Sequence, residues 1–207
     1  MKIFYVWDPL CGWCYAFKSV IFRLMDEFSP VFDFAIISGG MAIGDKVMPV
    51  SEKAVYIKRR LPDVERIGGV KFGTKYIRLL DEGTAISDSL PPSIAFKVFL
   101  SFRKDLSLDW AWLIQEALFN GGKALNNIKV YLEIAEKHDI NKFAFMDRFG
   151  DPAFRKSVED DFSLARSWGV NQFPSLVLQK GPRTEILKRG YAAYDELSRQ
   201  LRELAED

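Results

Sequence analysis

The stretch YVWDPLCGWCYAFKSV, from Tyr5 to Val20, holds both cysteines of this 207-residue chain. Cys11 and Cys14 lie three positions apart, with Gly12 and Trp13 between them. A thiol pair at this spacing suits three kinds of chemistry: metal binding, nucleophilic attack on a substrate, and exchange of a disulfide with a substrate. The sequence around the pair bears on the choice among them.

The cysteine pair lies where a predicted strand turns into a predicted helix. Residues 2–7 (KIFYVW) form a short apolar run that is typical of a strand and stops at Asp8. Apolar residues then recur at helical spacing as far as Phe28, which places Cys11 at or just before a helix N-terminus. A second strand is predicted at residues 31–37, and the short connections predict parallel strands with a right-handed crossover.

The rest of the chain predicts a helical block followed by a hairpin. Helical segments are predicted near residues 51–60, 73–80, 92–103, 107–119, 127–138, 142–149 and 153–168. Two strands at 175–180 and 184–189 read as a hairpin, and a final amphipathic helix is predicted at 195–205. The order predicts an α/β fold: a mixed four-stranded sheet of βαβ–ββα form, flanked by helices and interrupted by a helical insertion.

Composition and charge exclude several classes of partner. The formal charge is +1, from 29 basic and 28 acidic side chains, so there is no electrostatic case for nucleic acid or an anionic membrane as partner. The N-terminus has no signal-peptide apolar core, and no apolar run approaches the ~20 residues that span a bilayer. We therefore expect a cytoplasmic protein, where a cysteine pair is more often catalytic or metal-binding than structural.

Metal binding and protease chemistry fit the pair poorly. A structural zinc site takes four ligands, whereas the chain offers one CxxC and a single histidine, His138, so no metal is predicted. The sequence CGWCY partly matches the papain-like pattern, with Cys14 as the nucleophile. However, Trp13 stands where that pattern has a small residue, and His138 lies in a charged segment that reads as a solvated helix end.

Dithiol–disulfide exchange uses what this stretch supplies. The attacking species is the thiolate, which the unpaired N–H groups and the dipole of a helix N-terminus favour. Cys11 occupies that place and is predicted to be the nucleophile, while Cys14, one turn further on, resolves the mixed disulfide. The alternative is two buried small apolar side chains without chemistry.

Four stretches carry a likeness to a known family: DPLCGWCYAF (8–17), SGGM (38–41), DSLPPSIAFKV (88–98) and GVNQFPSLVL (169–178). They resemble the DsbA family of thioredoxin-fold proteins. Within it, they resemble the bacterial FrnE-like branch of predicted protein-disulfide isomerases without a signal peptide. The resemblance implies a DsbA-like, thioredoxin-like domain formed by residues 1–50 and 151–207, with an inserted helical domain at 51–150.

The resemblance also assigns residues to the site. It implies that Pro174 is cis and lies against the CxxC, exposing the backbone of Phe173 to an extended substrate. Trp13 with Phe173 and Pro174 would then shape a substrate groove. Gly12 and Asp8 would support the active-site turn, and Asp8 either orients it, assists proton transfer or only caps an Asp-Pro turn.

The predicted function is that of a thiol:disulfide oxidoreductase or isomerase acting mainly in the reducing or isomerising direction. The dipeptide Gly12-Trp13 supplies no histidine to stabilise a thiolate at Cys11. The substrates would be protein or small-molecule thiols and disulfides. No cofactor is predicted beyond the redox-active pair itself, with glutathione as a candidate co-substrate. Two alternatives stay open: a glutathione-dependent transferase or isomerase of the kappa class, which uses a serine in place of the CxxC, and a non-enzymatic redox-sensing adaptor.

Overall fold

A four-stranded mixed sheet forms the centre of the molecule in a computed structural model, which describes residues 1–206. Its strands are β1 (Lys2–Trp7), β2 (Asp33–Ser38), β5 (Ser175–Lys180) and β6 (Arg183–Arg189), in the order β2-β1-β5-β6. Strands β1 and β2 are parallel, and the other two pairings are antiparallel. The predicted α/β thioredoxin-like fold with a mixed four-stranded sheet is confirmed.

Four helices, two before the helical insertion and two after it, complete the unit around this sheet. They are α1 (Gly12–Ala16), α2 (Lys18–Phe28), α9 (Pro152–Ser167) and α10 (Tyr194–Glu206). The single helix predicted from residue 12 to 28 is wrong in one respect, because it is interrupted at Phe17. The N–H of Phe17 is shared between the carbonyls of Trp13 and Cys14, which tightens the last turn of α1 and ends it.

Six helices lie between β2 and α9. They are α3 (Ser51–Gly68), α4 (Thr74–Glu82), α5 (Leu90–Phe102), α6 (Ser107–Phe119), α7 (Ile128–Lys137) and α8 (Lys142–Gly150). Within residues 1–206, none of the helices has both the length and the apolar character needed to cross a bilayer.

The structure departs from the sequence prediction at two places in this helical block. Helix α3 continues past the predicted end at residue 60 and accommodates Pro62, since burial of Leu61 and Val64 on either side holds the turn in place. A short antiparallel pair, β3 (Met48–Pro49) with β4 (Ile86–Ser87), was not predicted. Strands of two residues are too short to show alternation in sequence.

The helical block shares its hydrophobic core with the sheet. The ring of Trp7 at the end of β1 packs edge-on against Phe96 of α5, with centroids 5.1 Å apart. Helix α6 packs against both α1 and α2, and α5 packs against α9. Residues of α5 and α6 therefore lie directly behind the turn that carries the two cysteines.

Candidate active site

Cys11 caps the N-terminus of α1, as the sequence predicts. Its backbone is extended (φ −87°, ψ 111°), and its Sγ accepts a hydrogen bond from the N–H of Cys14 at 3.4 Å. Both cysteines are free thiols, and 6% of Cys11 is exposed compared with 1% of Cys14. The sulfur of Cys11 thus lies at the N-terminal end of α1, where backbone N–H groups point towards it.

The surroundings of Cys14 make its thiol a weak acid. Burial raises the pKa of the Cys14 thiol well above its usual value, and the hydrogen bond and charge of Cys11 raise it further. The charge of Asp8 acts in the same direction, while the backbone N–H of Asp8 opposes it. Cys14 therefore holds its proton until a base removes it.

The loop before β5 lies against the sulfur of Cys11. The Phe173–Pro174 peptide bond is cis, the geometry that the family resemblance implies. The thiol of Cys11 donates a hydrogen bond to the carbonyl of Phe173 at 3.4 Å. Cys11 and Phe173 are 162 positions apart in sequence. The structure thus brings together two residues that the sequence analysis places in one site.

Asp8 is fully buried beneath the turn and holds three segments together. Its carboxylate accepts hydrogen bonds from the N–H of Leu10 (2.9 Å), the N–H of Met41 (2.7 Å) and the hydroxyl of Ser89 (3.1 Å). Burial raises the pKa of Asp8 to about 6, although these hydrogen bonds oppose the rise. Asp8 therefore does more than cap its own turn, because it also ties that turn to the loop after β2 and to the start of α5.

A family model described as thioredoxin matches residues 4–197 of the chain. The chain belongs to this thioredoxin family. No curated protein matches the chain. Among solved structures, the cytosolic disulfide reductase DsbM from Pseudomonas aeruginosa shares 26% identity with a TM-score of 0.80, over 98% of this chain and 99% of that one. A second structure of DsbM, with glutathione, has a TM-score of 0.78 at the same identity, over 98% and 100% of the two chains.

Two more distant structures share the fold of this thioredoxin-family chain. A protein from Nitrosomonas europaea, whose proposed activity is protein disulfide isomerase, has 21% identity and a TM-score of 0.86, over 99% of this chain and 97% of that one. DsbA from Pseudomonas aeruginosa has 13% identity and a TM-score of 0.57, over 99% and 82%. The predicted membership of the DsbA-like group of thioredoxin-fold proteins is confirmed.

Trp13 forms one side of the site together with a residue that the sequence did not single out. Its half-buried ring lies 5.6 Å from that of Tyr191, which follows β6, and Tyr191 also packs edge-on against Phe17 at 5.9 Å. The predicted groove residue Trp13 is thus held by aromatic packing beside Cys11.

Gln115 of α6 is a second site residue that the sequence analysis missed. It is 3% exposed, and its Nε2 donates hydrogen bonds to the carbonyls of Asp8 (3.1 Å) and Cys11 (3.3 Å). The available signal was a polar residue on the buried side of an otherwise apolar helix, SLDWAWLIQEALF. That signal indicates a buried hydrogen bond, but it cannot say which segment of the chain accepts it.

His138 lies apart from the cysteines. It is exposed at the end of α7, and its ring packs edge-on against Trp110 with centroids 5.0 Å apart. In residues 1–206 it forms no hydrogen bond with either cysteine. This position gives no support to a papain-like pairing of Cys14 with His138.

Gly39, in the SGGM stretch after β2, leaves room for the ring of Phe173. A Cβ added to Gly39 would lie 1.8 Å from Cε1 of Phe173 and 2.5 Å from its Cζ, so no larger residue fits while the ring stays. We expect Gly39→Ala to lower the free energy of unfolding by about 2–3 kcal/mol, the cost of overpacking a filled site. Phe173→Val in the same chain should recover most of this loss, which chemical denaturation would measure.

The matched control is Gly150→Ala, since a Cβ added at Gly150 meets nothing within 4 Å. It should leave the free energy of unfolding unchanged or slightly higher. Strictly additive effects of Gly39→Ala and Phe173→Val would show that the ring and the glycine are not matched to each other.

Proposed function

We propose that the protein is a thiol:disulfide oxidoreductase that uses Cys11 and Cys14 to reduce or isomerise substrate disulfides. The supporting observation is the placement of the Cys11 sulfur, which lies at the start of α1 and 3.4 Å from the carbonyl of Phe173, with Cys14 one turn behind it. Family membership and the likeness to the disulfide reductase DsbM support the same chemistry. The DsbM likeness also supports a cytoplasmic location, since that protein is described as cytosolic.

The first step is attack on the substrate. The thiolate of Cys11 attacks one sulfur of a disulfide RSSR′, a bond forms between Cys11 and that sulfur, and RS⁻ leaves and takes a proton from water. The backbone of Phe173, beside the reacting sulfur, can pair with an extended segment of the substrate. The product of this step is a mixed disulfide on Cys11.

The second step needs Cys14 to lose its proton. Asp8, with a pKa of about 6, is mainly ionised at neutral pH, and its charge is felt by the Cys14 thiol, so it is the proposed proton acceptor. The Cys14 thiolate then attacks the sulfur of Cys11, forms the internal disulfide and releases R′S⁻, which is protonated by solvent. Two electrons pass from the cysteine pair to the substrate, which leaves as two thiols.

A low-molecular-weight thiol would return the pair to its reduced form. Two glutathione molecules supply the two electrons and leave as oxidised glutathione. The DsbM structure that contains glutathione supports this choice of donor. The reducing direction is supported by the surroundings of Cys11, since Gly12 and Trp13 bring no cation to it and the one histidine of the chain is at the end of α7.

The test is reduction of 2-hydroxyethyl disulfide by glutathione, coupled to glutathione reductase and NADPH. The protein should accelerate NADPH consumption, and the Cys11→Ser variant should not. Conjugation of glutathione to chlorodinitrobenzene without any disulfide reduction would contradict the proposal and favour the kappa-class alternative. A biological role that survives replacement of both cysteines by serine would favour the adaptor alternative.

A further inference from the structure

Phe72, in the loop between α3 and α4, lies over the first residue between the two cysteines. A Cβ added to Gly12 would be 3.3 Å from Cζ of Phe72 and 3.8 Å from its Cε1. The ring edge therefore rests on the backbone of Gly12, next to Cys11. The helical block thus contributes an aromatic side chain beside Gly12, in addition to Gln115 and Ser89, which hydrogen-bond to the active-site turn.

The ring of Phe72 is held firmly in this position. The backbone N–H of Phe72 donates a hydrogen bond to Oε1 of Glu65 at 3.0 Å. The N–H of the following Gly73 donates to the carbonyl of Phe119 at 2.8 Å. The ring packs edge-on against Phe119 at 5.4 Å and lies 5.8 Å from the ring of Tyr15 in α1. Phe72 itself is only 9% exposed. These contacts fix the position of the Phe72 ring beside Gly12.

A second aromatic residue, Phe173, also lies beside Cys11. The carbonyl of Phe173 is 3.4 Å from the sulfur, and the ring of Phe173 is seated over Gly39. Cys11 is 6% exposed. A disulfide that reacts must bring one sulfur into line with the Cys11 thiolate, so the groups attached to that sulfur must fit against the segments that leave Cys11 so little exposed.

We propose that Phe72 determines which disulfides reach Cys11. It admits the disulfides of low-molecular-weight thiols and of extended peptide segments, and it excludes disulfides that are held within folded proteins. This inference rests on the proposed function and names its substrate class. It is consistent with Gly12, because a Cβ at this position would lie in tight contact with the ring of Phe72, 3.3 Å from its Cζ.

The first test measures access to Cys11 without requiring any enzyme activity. In a Cys14→Ser background, Cys11 is the only thiol, and its rates of alkylation by iodoacetamide and by fluorescein-5-maleimide can be compared. Phe72→Ala should raise the ratio of the bulky reagent's rate to the small reagent's rate by about tenfold. Tyr76→Leu is the matched control: Tyr76 belongs to the same aromatic cluster, with ring centroids 5.9 Å from Phe72 and 5.2 Å from Phe119.

The second test compares two substrates with the cysteine pair intact. Phe72→Ala should raise the kcat/KM for reduction of insulin, relative to 2-hydroxyethyl disulfide, by about tenfold, and Tyr76→Leu should leave this ratio unchanged. If Phe72→Ala does not fold, as judged by thermal unfolding, Phe72→Leu serves in its place and should change both ratios in the same direction.

Unchanged ratios in the Phe72 variants, or an equal rise in Tyr76→Leu, would overturn the assignment to Phe72. Absence of disulfide reduction by the parent protein would instead contradict the proposed function, and the alkylation ratios would still decide whether Phe72 limits access to Cys11.

Discussion

Replacing Cys11 by serine should abolish disulfide exchange, lowering kcat/KM by about a thousandfold or more, because a hydroxyl in its place cannot attack sulfur at neutral pH. Cys14→Ser should have a different outcome. Cys11 would still attack, but nothing would release the substrate, so a mixed disulfide should accumulate. The burial of Cys14 and its raised pKa are the reasons to assign it the second role.

Mass spectrometry under non-reducing conditions measures both outcomes. After incubation with oxidised glutathione, the Cys14→Ser protein should carry one glutathione, attached at Cys11. The Cys11→Ser protein, as the matched control, should carry little. Trapping of substrate on Cys14 in the Cys11→Ser protein, or equal reactivity of the two thiols, would reverse the assignment.

Replacing Asp8 by asparagine should change how stability depends on pH. The pKa of Asp8 is raised in the folded protein to about 6, above the ~3.9 of an unfolded chain. Well below about pH 4 the carboxyl is protonated in both states and contributes nothing to the pH dependence. Between about pH 4 and 6 the folded state binds the proton more tightly. As the pH rises through this window, the folded protein therefore loses about 3 kcal/mol of stability from this group.

Urea denaturation at pH values from 4 to 7 tests this effect. The free energy of unfolding of the parent, relative to Asp8→Asn, should fall by about 2–3 kcal/mol across the range, since asparagine does not titrate. Asp26→Asn, which removes an exposed carboxylate on α2, is the control and should run parallel to the parent. A curve for Asp8→Asn that also runs parallel would show that Asp8 is not the buried acid described above.

Local sequence patterns predicted most of the fold. The strands at 2–7 and 175–180 coincide with the predicted ranges, because an apolar run bounded by turn residues is a local signal. The passage of α3 through Pro62 was missed because it depends on burial of Leu61 and Val64, which is a tertiary effect. The break at Phe17 was missed for a similar reason, since a shared hydrogen bond leaves no trace in periodicity.

The site was predicted where a motif marks it and missed where contacts come from distant segments. Cys11, Cys14 and Pro174 lie in motifs with a chemical rationale. Gln115 and Phe72 reach the site from helices and loops of the insertion, and no spacing rule connects them to the cysteines. Asp8 was identified as a residue of the turn, but its burial and raised pKa depend on Met41 and Ser89, which only the folded chain brings to it.

The reduction potential of the Cys11–Cys14 pair tests the central claim, that the protein reduces disulfides, most directly. The strong oxidant of the DsbA family, near about −120 mV, is oxidising because its reduced form is stabilised. This protein has no cation at Gly12-Trp13, so we expect its reduced form to lack about 3–4 kcal/mol of that stabilisation. The loss corresponds to a reduction potential lower by ~60–90 mV for a two-electron couple.

The measurement equilibrates the purified protein in buffers of defined glutathione ratio, quenches with acid, and counts free thiols by mass spectrometry after alkylation. We expect a reduction potential of about −180 to −210 mV. Because the cytosolic glutathione couple has a lower potential, roughly −220 to −260 mV, the cysteine pair would be mainly in the dithiol form there. A value near about −120 mV would contradict this account and mark the protein as an oxidase that installs disulfides.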